Sequence, residues 1–255
     1  MIIPRLLFFV VMFLAFSFSI EAQKRRVAAK SKNNSAAVQK PVEIGNVAMI
    51  IDESLSVLRI KPSLFANSLQ RLRRGRRVKI LEAKQADGVT FYRVAAPPNR
   101  FGWVQSEAVF GVFRRGDDER LARLVQASTG FDQIELAVNF LELFPASSFR
   151  PAVLLLLGDL AENIAVKLSQ DATRRLNRRE MAASGAPLHS YYLNYVSLDR
   201  YRKLGVIFLF DTKMKTFHYD GESWQEIIKK FPASTEAVEA QKRIDSLKAT
   251  FEELK

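Results

Sequence analysis

Leu72-Arg73-Arg74-Gly75-Arg76-Arg77-Val78-Lys79-Ile80-Leu81 sets a glycine among arginines just before a short β-rich run, so it reads as a turn feeding a strand. Comparable runs occupy residues 47–51, 56–60, 77–81, 89–95 and 101–105. Asp87-Gly88 and Pro97-Pro98-Asn99 separate the later ones, and Asp-Gly between two apolar runs is a strong hairpin signal. Five short strands within about 65 residues bury a core only by curling into a small barrel or sandwich.

Val57-Leu58-Arg59-Ile60-Lys61-Pro62-Ser63, the arginine-rich stretch above, Phe91-Tyr92-Arg93-Val94 and Phe101-Gly102-Trp103-Val104 together resemble a bacterial SH3-like domain. Such domains carry an L-x-V-R-x-x-P-S opening, a G-x-x-V-x-I-L strand and a closing G-W-V, in this order. The resemblance implies an SH3-like β-barrel over residues 43–113 that binds rather than catalyses. Members often hold cell-wall peptides or carbohydrates, and many accompany a wall-cleaving cysteine peptidase domain. This chain has no cysteine with which to build one. Leu58-Arg59-Ile60-Lys61 departs from the family's opening, which commonly has Asn or Arg within a Gly-containing turn.

Arg71, Arg73, Arg74, Arg76 and Arg77 crowd five guanidiniums around Gly75. Their repulsion at low dielectric requires water or anions nearby. One reading makes them a patch gripping carboxylates or phosphates of a wall polymer, since arginine binds such groups bidentately. The other is a solvated loop without a ligand. Tyr92 and Trp103 likewise read either as a stacking platform for sugars or as packing of the barrel.

After Gly116 the apolar period changes from two to 3.6. Asp117 and Asp118 are acceptable caps for a helix bearing Leu121, Leu124 and Val125; Ile134, Val138, Leu141 and Phe144 mark a second, and Ser148 opens a third. Phe144-Pro145-Ala146-Ser147 recurs as Phe231-Pro232-Ala233-Ser234, with Phe140, Leu141 and Leu157 aligned to Ile227, Ile228 and Ile244. That is an internal repeat. Helix, F-P-x-S and helix resemble the tetratricopeptide-like repeats of envelope proteins, such as lipoprotein components that help assemble the outer membrane. The small residues expected after the motif are present as Ala237 and Ala240, whereas Arg150 and Val153 replace them in the first copy. Between the copies, residues 205–221 read as an inserted β-hairpin. A lone hairpin is marginal in water, so it must lie against something.

Leu188, Tyr191, Tyr195, Leu198 and Tyr201 fall at helical spacing, which makes them either a peptide-binding groove or a core-facing stripe. Arg174, Arg175, Arg178 and Arg179 stack like charges, readable as a solvated face or as a contact for an anionic partner. The protein-binding candidates are therefore Tyr191, Tyr195, Arg174 and Arg178. The fold class expected is α+β and multidomain: an SH3-like barrel, then a helical, tetratricopeptide-like domain over residues 117–255.

Residues 1–22 set Arg5 before the uncharged run Leu6 to Phe16 and end in Ser-Phe-Ser-Ile-Glu-Ala, a signal-peptide pattern. Cleavage after Ala22 is expected; an uncleaved anchor is the alternative. Residues 23–42 are basic with no apolar period, a flexible linker that either lies on an anionic membrane or is simply solvated. Zero cysteines exclude disulfides, thiolate catalysis and Cys-ligated metal, and two histidines leave little for a His-rich metal site. Neither histidine, His189 or His218, falls in a motif with assignable mechanics, and Gly-rich phosphate loops are absent, so no cofactor is expected. Asp159 and Glu162 share a helix turn, but carboxylate catalysis needs two groups held across a cleft.

These features lead to an exported, non-enzymatic adaptor in the periplasm or envelope. Its barrel meets peptidoglycan or another anionic wall polymer, and its helical region meets a protein. A wall-modifying enzyme with an unrecognised acidic site is the alternative. The net charge of +12 also suggests nucleic acid, against which export argues, since charge alone gives salt-sensitive, non-specific affinity.

Overall fold

A computed structural model of the protein describes residues 42–252. The leader, and the linker up to residue 41, lie outside the described residues. Seven strands form an antiparallel sheet: β1 (Val47–Ile50), β2 (Val57–Arg59), β3 (Ser68–Arg71), β4 (Arg77–Ala86), β5 (Val89–Ala96), β6 (Arg100–Gln105) and β7 (Val109–Phe110). Their order is β3-β2-β6-β5-β4-β1-β7. Period-two alternation sends Leu58, Val78, Ile80, Tyr92, Val94 and Val104 to one face, where they form a core with Ala48 and Ile50.

The expected barrel does not close. β3 and β7 end the sheet and do not pair with each other. On β1 and β7, Met49 and Phe110 turn away from the sheet's own core and, with Ile51, join the core of the helices. Helices therefore cover the end that closure would have had to seal. Two strands escaped the sequence reading for physical reasons: β3 (Ser-Leu-Gln-Arg) lies at an edge and is largely exposed, and β7 is two residues long.

Eight α-helices and a second, two-stranded sheet make up the rest: α1 (Asp117–Ala127), α2 (Gly130–Leu143), α3 (Arg150–Arg175), α4 (Arg178–Ser184), α5 (Leu188–Leu193), α6 (Asp199–Arg202), β8 (Phe208–Asp211), β9 (Thr216–Tyr219), α7 (Glu222–Lys230) and α8 (Thr235–Glu252). Among the described residues no helix is long and apolar enough to cross a membrane. Asp117 does not cap α1 from outside. It is buried at the helix's first position, where it accepts from Gly111 N (3.0 Å), Arg114 Nε (2.7 Å) and Arg120 Nη1 (2.8 Å). This charge cluster ties the last strand to the first helix, and its hydrogen bonds offset the cost of burying a carboxylate.

Both copies of Phe-Pro-Ala-Ser make the same junction. Phe144 N donates to Phe140 O and Ser147 N to Phe144 O, while Phe231 N donates to Ile227 O and Ser234 N to Phe231 O. The aligned pairs are buried alike: Phe140 with Ile227, and Leu157 with Ile244. The helix after the first copy begins at Arg150, not at Ser148. There Arg150, the residue that breaks the small-residue pattern, donates from Nη1 to Leu141 O (2.7 Å) and from Nε and Nη2 to Glu226 Oε1 (2.9 and 2.7 Å). The misfit position thus joins one repeat to the other.

The hairpin β8-β9 packs at home. β9 lies against α3, and Ser169 Oγ accepts from Phe217 N (2.7 Å) while Glu162 Oε2 accepts from Tyr219 N (2.7 Å). Two side chains seven residues apart on α3 satisfy two N–H groups of a strand edge that water would otherwise have to reach. Gly158, on α3, leaves room for Trp224 of α7: a Cβ there would lie 2.3 Å from the indole Nε1.

Candidate functional site

The site is the part of the sheet's outer face that the helices leave open. Cross-strand register sets Val47, Lys79, Ala95 and Phe101 side by side across β1, β4, β5 and β6. A second row, displaced by two residues along β5 and β6, sets Arg93 and Trp103 beside Arg59 of β2. Neighbouring Gly102 and Val104 are buried, so alternation places Phe101 and Trp103 together on the opposite side. Phe101 is 54% exposed, Val47 56%, and Trp103 is half-buried.

A groove of about 440 Å³ runs over this face, lined by Val47, Arg77, Lys79, Ala95, Phe101 and the Pro97-Pro98-Asn99 turn. Its floor is apolar and its edge cationic. Lys79 makes no ion pair among the described residues; Arg93 reaches Glu82 only at 3.9 Å, and Arg59 spends Nη1 on Ala66 O (2.8 Å). Aromatic faces beside the unpaired Lys79 and the incompletely satisfied Arg93 and Arg59 suit a polymer that offers apolar sugar faces and carboxylates or phosphates.

The five clustered arginines meet different fates. Arg71 donates to Glu53 O and to Ser54 O, the latter at 2.8 Å. Arg74 donates from its backbone N to Glu53 Oε1 (2.6 Å), from Nε to Ile51 O (3.0 Å) and from Nη1 to Glu135 Oε2 (3.0 Å), with Asp132 at 3.7 Å. Arg76 donates to Pro97 O, and Arg77 pairs with Glu142. Arg73 is exposed and has no such partner among the described residues. For Arg74 and Arg77 the anions that this crowding requires are the chain's own, since Asp132, Glu135 and Glu142 form an acidic side of α2. Gly75, at φ +76°, completes the contact: a Cβ there would lie 3.2 Å from Asn139 Oδ1 of α2. Of the five, only Arg77 also lines the groove.

Tyr92 points into the core and is 3% exposed, so its ring is not a platform for sugars. Burial, partly offset by the nearby Arg114 guanidinium, holds its phenol above the ordinary value. Sequence reasoning missed that Phe101, Lys79, Arg93 and Arg59 share a sheet face with Trp103. Parity along β6 carried the signal for Phe101; the others needed the register.

The tyrosine stripe is not one helix. α5 ends at Leu193, where Asn194 N closes the ladder on Ser190 O, and the chain then tightens into a 3₁₀ turn at Val196–Leu198. Tyr195, Leu198 and Tyr201 are buried in the helical core, whereas Tyr191 is half-buried and lines a pocket together with Arg178. Arg174 is exposed and pairs with Asp171 at 2.5 Å. Helix α3 stops at Arg175 and α4 starts at Arg178, so the four arginines do not stack on one helix.

His218 Nδ1 lies 3.1 Å from Glu162 Oε1 and its Nε2 3.1 Å from Thr216 Oγ1, within the hairpin's contact with α3. Asp159 pairs with Arg243 at 3.1 Å. Both carboxylates of that helix turn hold structure together, and no group of three metal-ligating side chains occurs among the described residues. Comparison of the chain with protein-family models, with curated proteins and with solved structures finds no significant match.

Proposed function

We propose that the protein is an exported, non-enzymatic binding adaptor of the bacterial cell envelope. Its sheet holds peptidoglycan or another anionic wall polymer, and its helical region, through Arg174, Arg178 and Tyr191, holds a protein partner. One observation carries the reading: Phe101 and Trp103 share an open sheet face with Lys79, Arg77, Arg93 and Arg59. The SH3-like resemblance and the signal-peptide pattern support the compartment and the ligand class.

Pelleting with purified sacculi tests it. Saturable binding that falls about thirtyfold or more in the Lys79→Ala, Trp103→Ala double variant, as loss of a charge-assisted contact and a stacked ring requires, fits the proposal. Binding should also weaken with salt. Survival of full binding in that variant would remove the sheet face as the reader. Release of soluble wall fragments by the purified protein would replace the adaptor with an enzyme.

A further inference from the structure

The helical region contains a second cavity, of about 430 Å³, between the end of α3, α4, α5 and the β8-β9 turn. That volume falls within the range of about 300–1,000 Å³ typical of small-molecule sites. Leu176, Met181, Leu188 and Tyr191 supply apolar walls. The hydroxyls in those walls are already spent: Tyr191 Oη donates to Met181 O (3.3 Å), and Tyr192 Oη shares a hydrogen bond with Thr173 Oγ1 (3.2 Å). Two exposed cations remain at the edge, Arg178 and Lys215, and neither makes an ion pair or side-chain hydrogen bond among the described residues.

Lys215 adds an independent observation. It occupies the left-handed region at φ +59°, a conformation that residues with a Cβ adopt at a cost of about 1 kcal/mol or more. A glycine would sit in that turn without the cost. The lysine places a cation at the edge of the cavity, next to the apolar walls. Apolar walls with two unpaired cations at the rim complement an apolar body ending in a single anion.

We infer that this cavity binds an anionic amphiphile, a carboxylate on an aliphatic chain, with the chain against Met181 and Leu188 and the carboxylate between Arg178 and Lys215. The inference goes beyond the protein-binding role of this region and does not depend on the sheet's ligand.

Decanoate, decanol and acetate are the probes, and the methyl resonance of Met181 in ¹³C-methyl-methionine-labelled protein is the readout. Decanoate below its micellar concentration should shift that resonance saturably and leave the resonance of Met49, in the core, unmoved. Decanol should bind about tenfold more weakly, and acetate should leave Met181 unmoved, because chain and charge are both required. In the Arg178→Ala, Lys215→Ala variant, whose two changes are on exposed side chains, the preference for decanoate over decanol should vanish. Equal shifts with decanoate and decanol in the unaltered protein would overturn the inference, as would a Met181 resonance that decanoate does not move or moves without saturation. Loss of sacculus binding with decanoate binding intact would strike the wall-polymer reading alone.

Discussion

Arg150 shows how a single residue that spoils a sequence pattern can carry a contact. Where the repeat has Ala237 in its second copy, the first has a guanidinium that reaches both α2 and α7. Burial alone would raise the Glu226 carboxyl, but hydrogen bonds from Arg150 and Lys230, and their charges, outweigh it and hold the group below its ordinary value of 4.5. A depressed folded-state value stabilises the protein above pH 4.5, and that stability is lost as pH falls from there through the lower folded-state value. Glu226→Gln should therefore lower stability by about 1–3 kcal/mol at neutral pH in urea unfolding. It should also flatten the loss below pH 4.5. Unchanged acid dependence in the variant would show that Arg150 does not act through Glu226. Tyr219 gives the opposite sign at the alkaline end. Burial pushes its phenol up to about 12, although the Ser223 contact lowers it in part. Its contribution is complete below pH 10 and is lost as pH rises towards 12, which absorbance of tyrosinate on alkaline titration will read; a phenol titrating near 10 would contradict its burial. Neither partner was legible in the sequence, because Arg150 and Glu226 are 76 residues apart and only the docking of the two repeats brings them together.

At the scale of elements, the junctions were the readable part. Proline stops one helix, serine turns the chain, and apolar residues on either side fall on matching faces, all of which are local rules. Hairpin and helix α3 meet by a rule that is not local: strand N–H groups find acceptors on a helix. Ser169→Ala should leave the Phe217 amide without a partner, destabilising by about 1–3 kcal/mol and speeding exchange of that amide ahead of those in the sheet core. Unaltered protection of Phe217 would contradict the docking described. Gly158 tests competing magnitudes. Helix propensity alone favours Gly158→Ala by about 1 kcal/mol, but overpacking costs about 1–3 kcal/mol, and the added Cβ would lie 2.3 Å from Trp224 Nε1 and 2.7 Å from Ser223 Oγ. A ring and a serine side chain that are both buried have little room to yield, so a net loss of urea stability is expected; a gain would show that α7 can shift. The tyrosine stripe failed as a single helix because spacing says which residues share a side but not where the hydrogen-bond ladder ends.

For the whole molecule, charge crowding in the sequence pointed outward, while the structure turns two of the five arginines towards a helix. Arg74 and Arg77 face Glu135 and Glu142 on α2, and Met49, Ile51 and Phe110 of the sheet region lie in the core of the helices. A sequence shows that arginines repel one another but not that a helix some 60 positions later brings the counter-charges. An apolar core shared between strands and helices should make them unfold together. The chain's two tryptophans report one region each, Trp103 on β6 and Trp224 on α7. In protein labelled with 5-fluorotryptophan, the two ¹⁹F resonances should lose intensity at the same urea concentration. Arg74→Ala should move both midpoints down together, by the equivalent of about 1–3 kcal/mol for a largely buried, multiply bonded guanidinium. It should leave sacculus binding intact once the protein is folded, because Arg74 does not line the sheet groove. If Trp103 instead reported its transition well before Trp224, sheet and helices would be independent bodies, and the pairs that Arg74 and Arg77 make with α2 would be a contact between them rather than a clasp within one core.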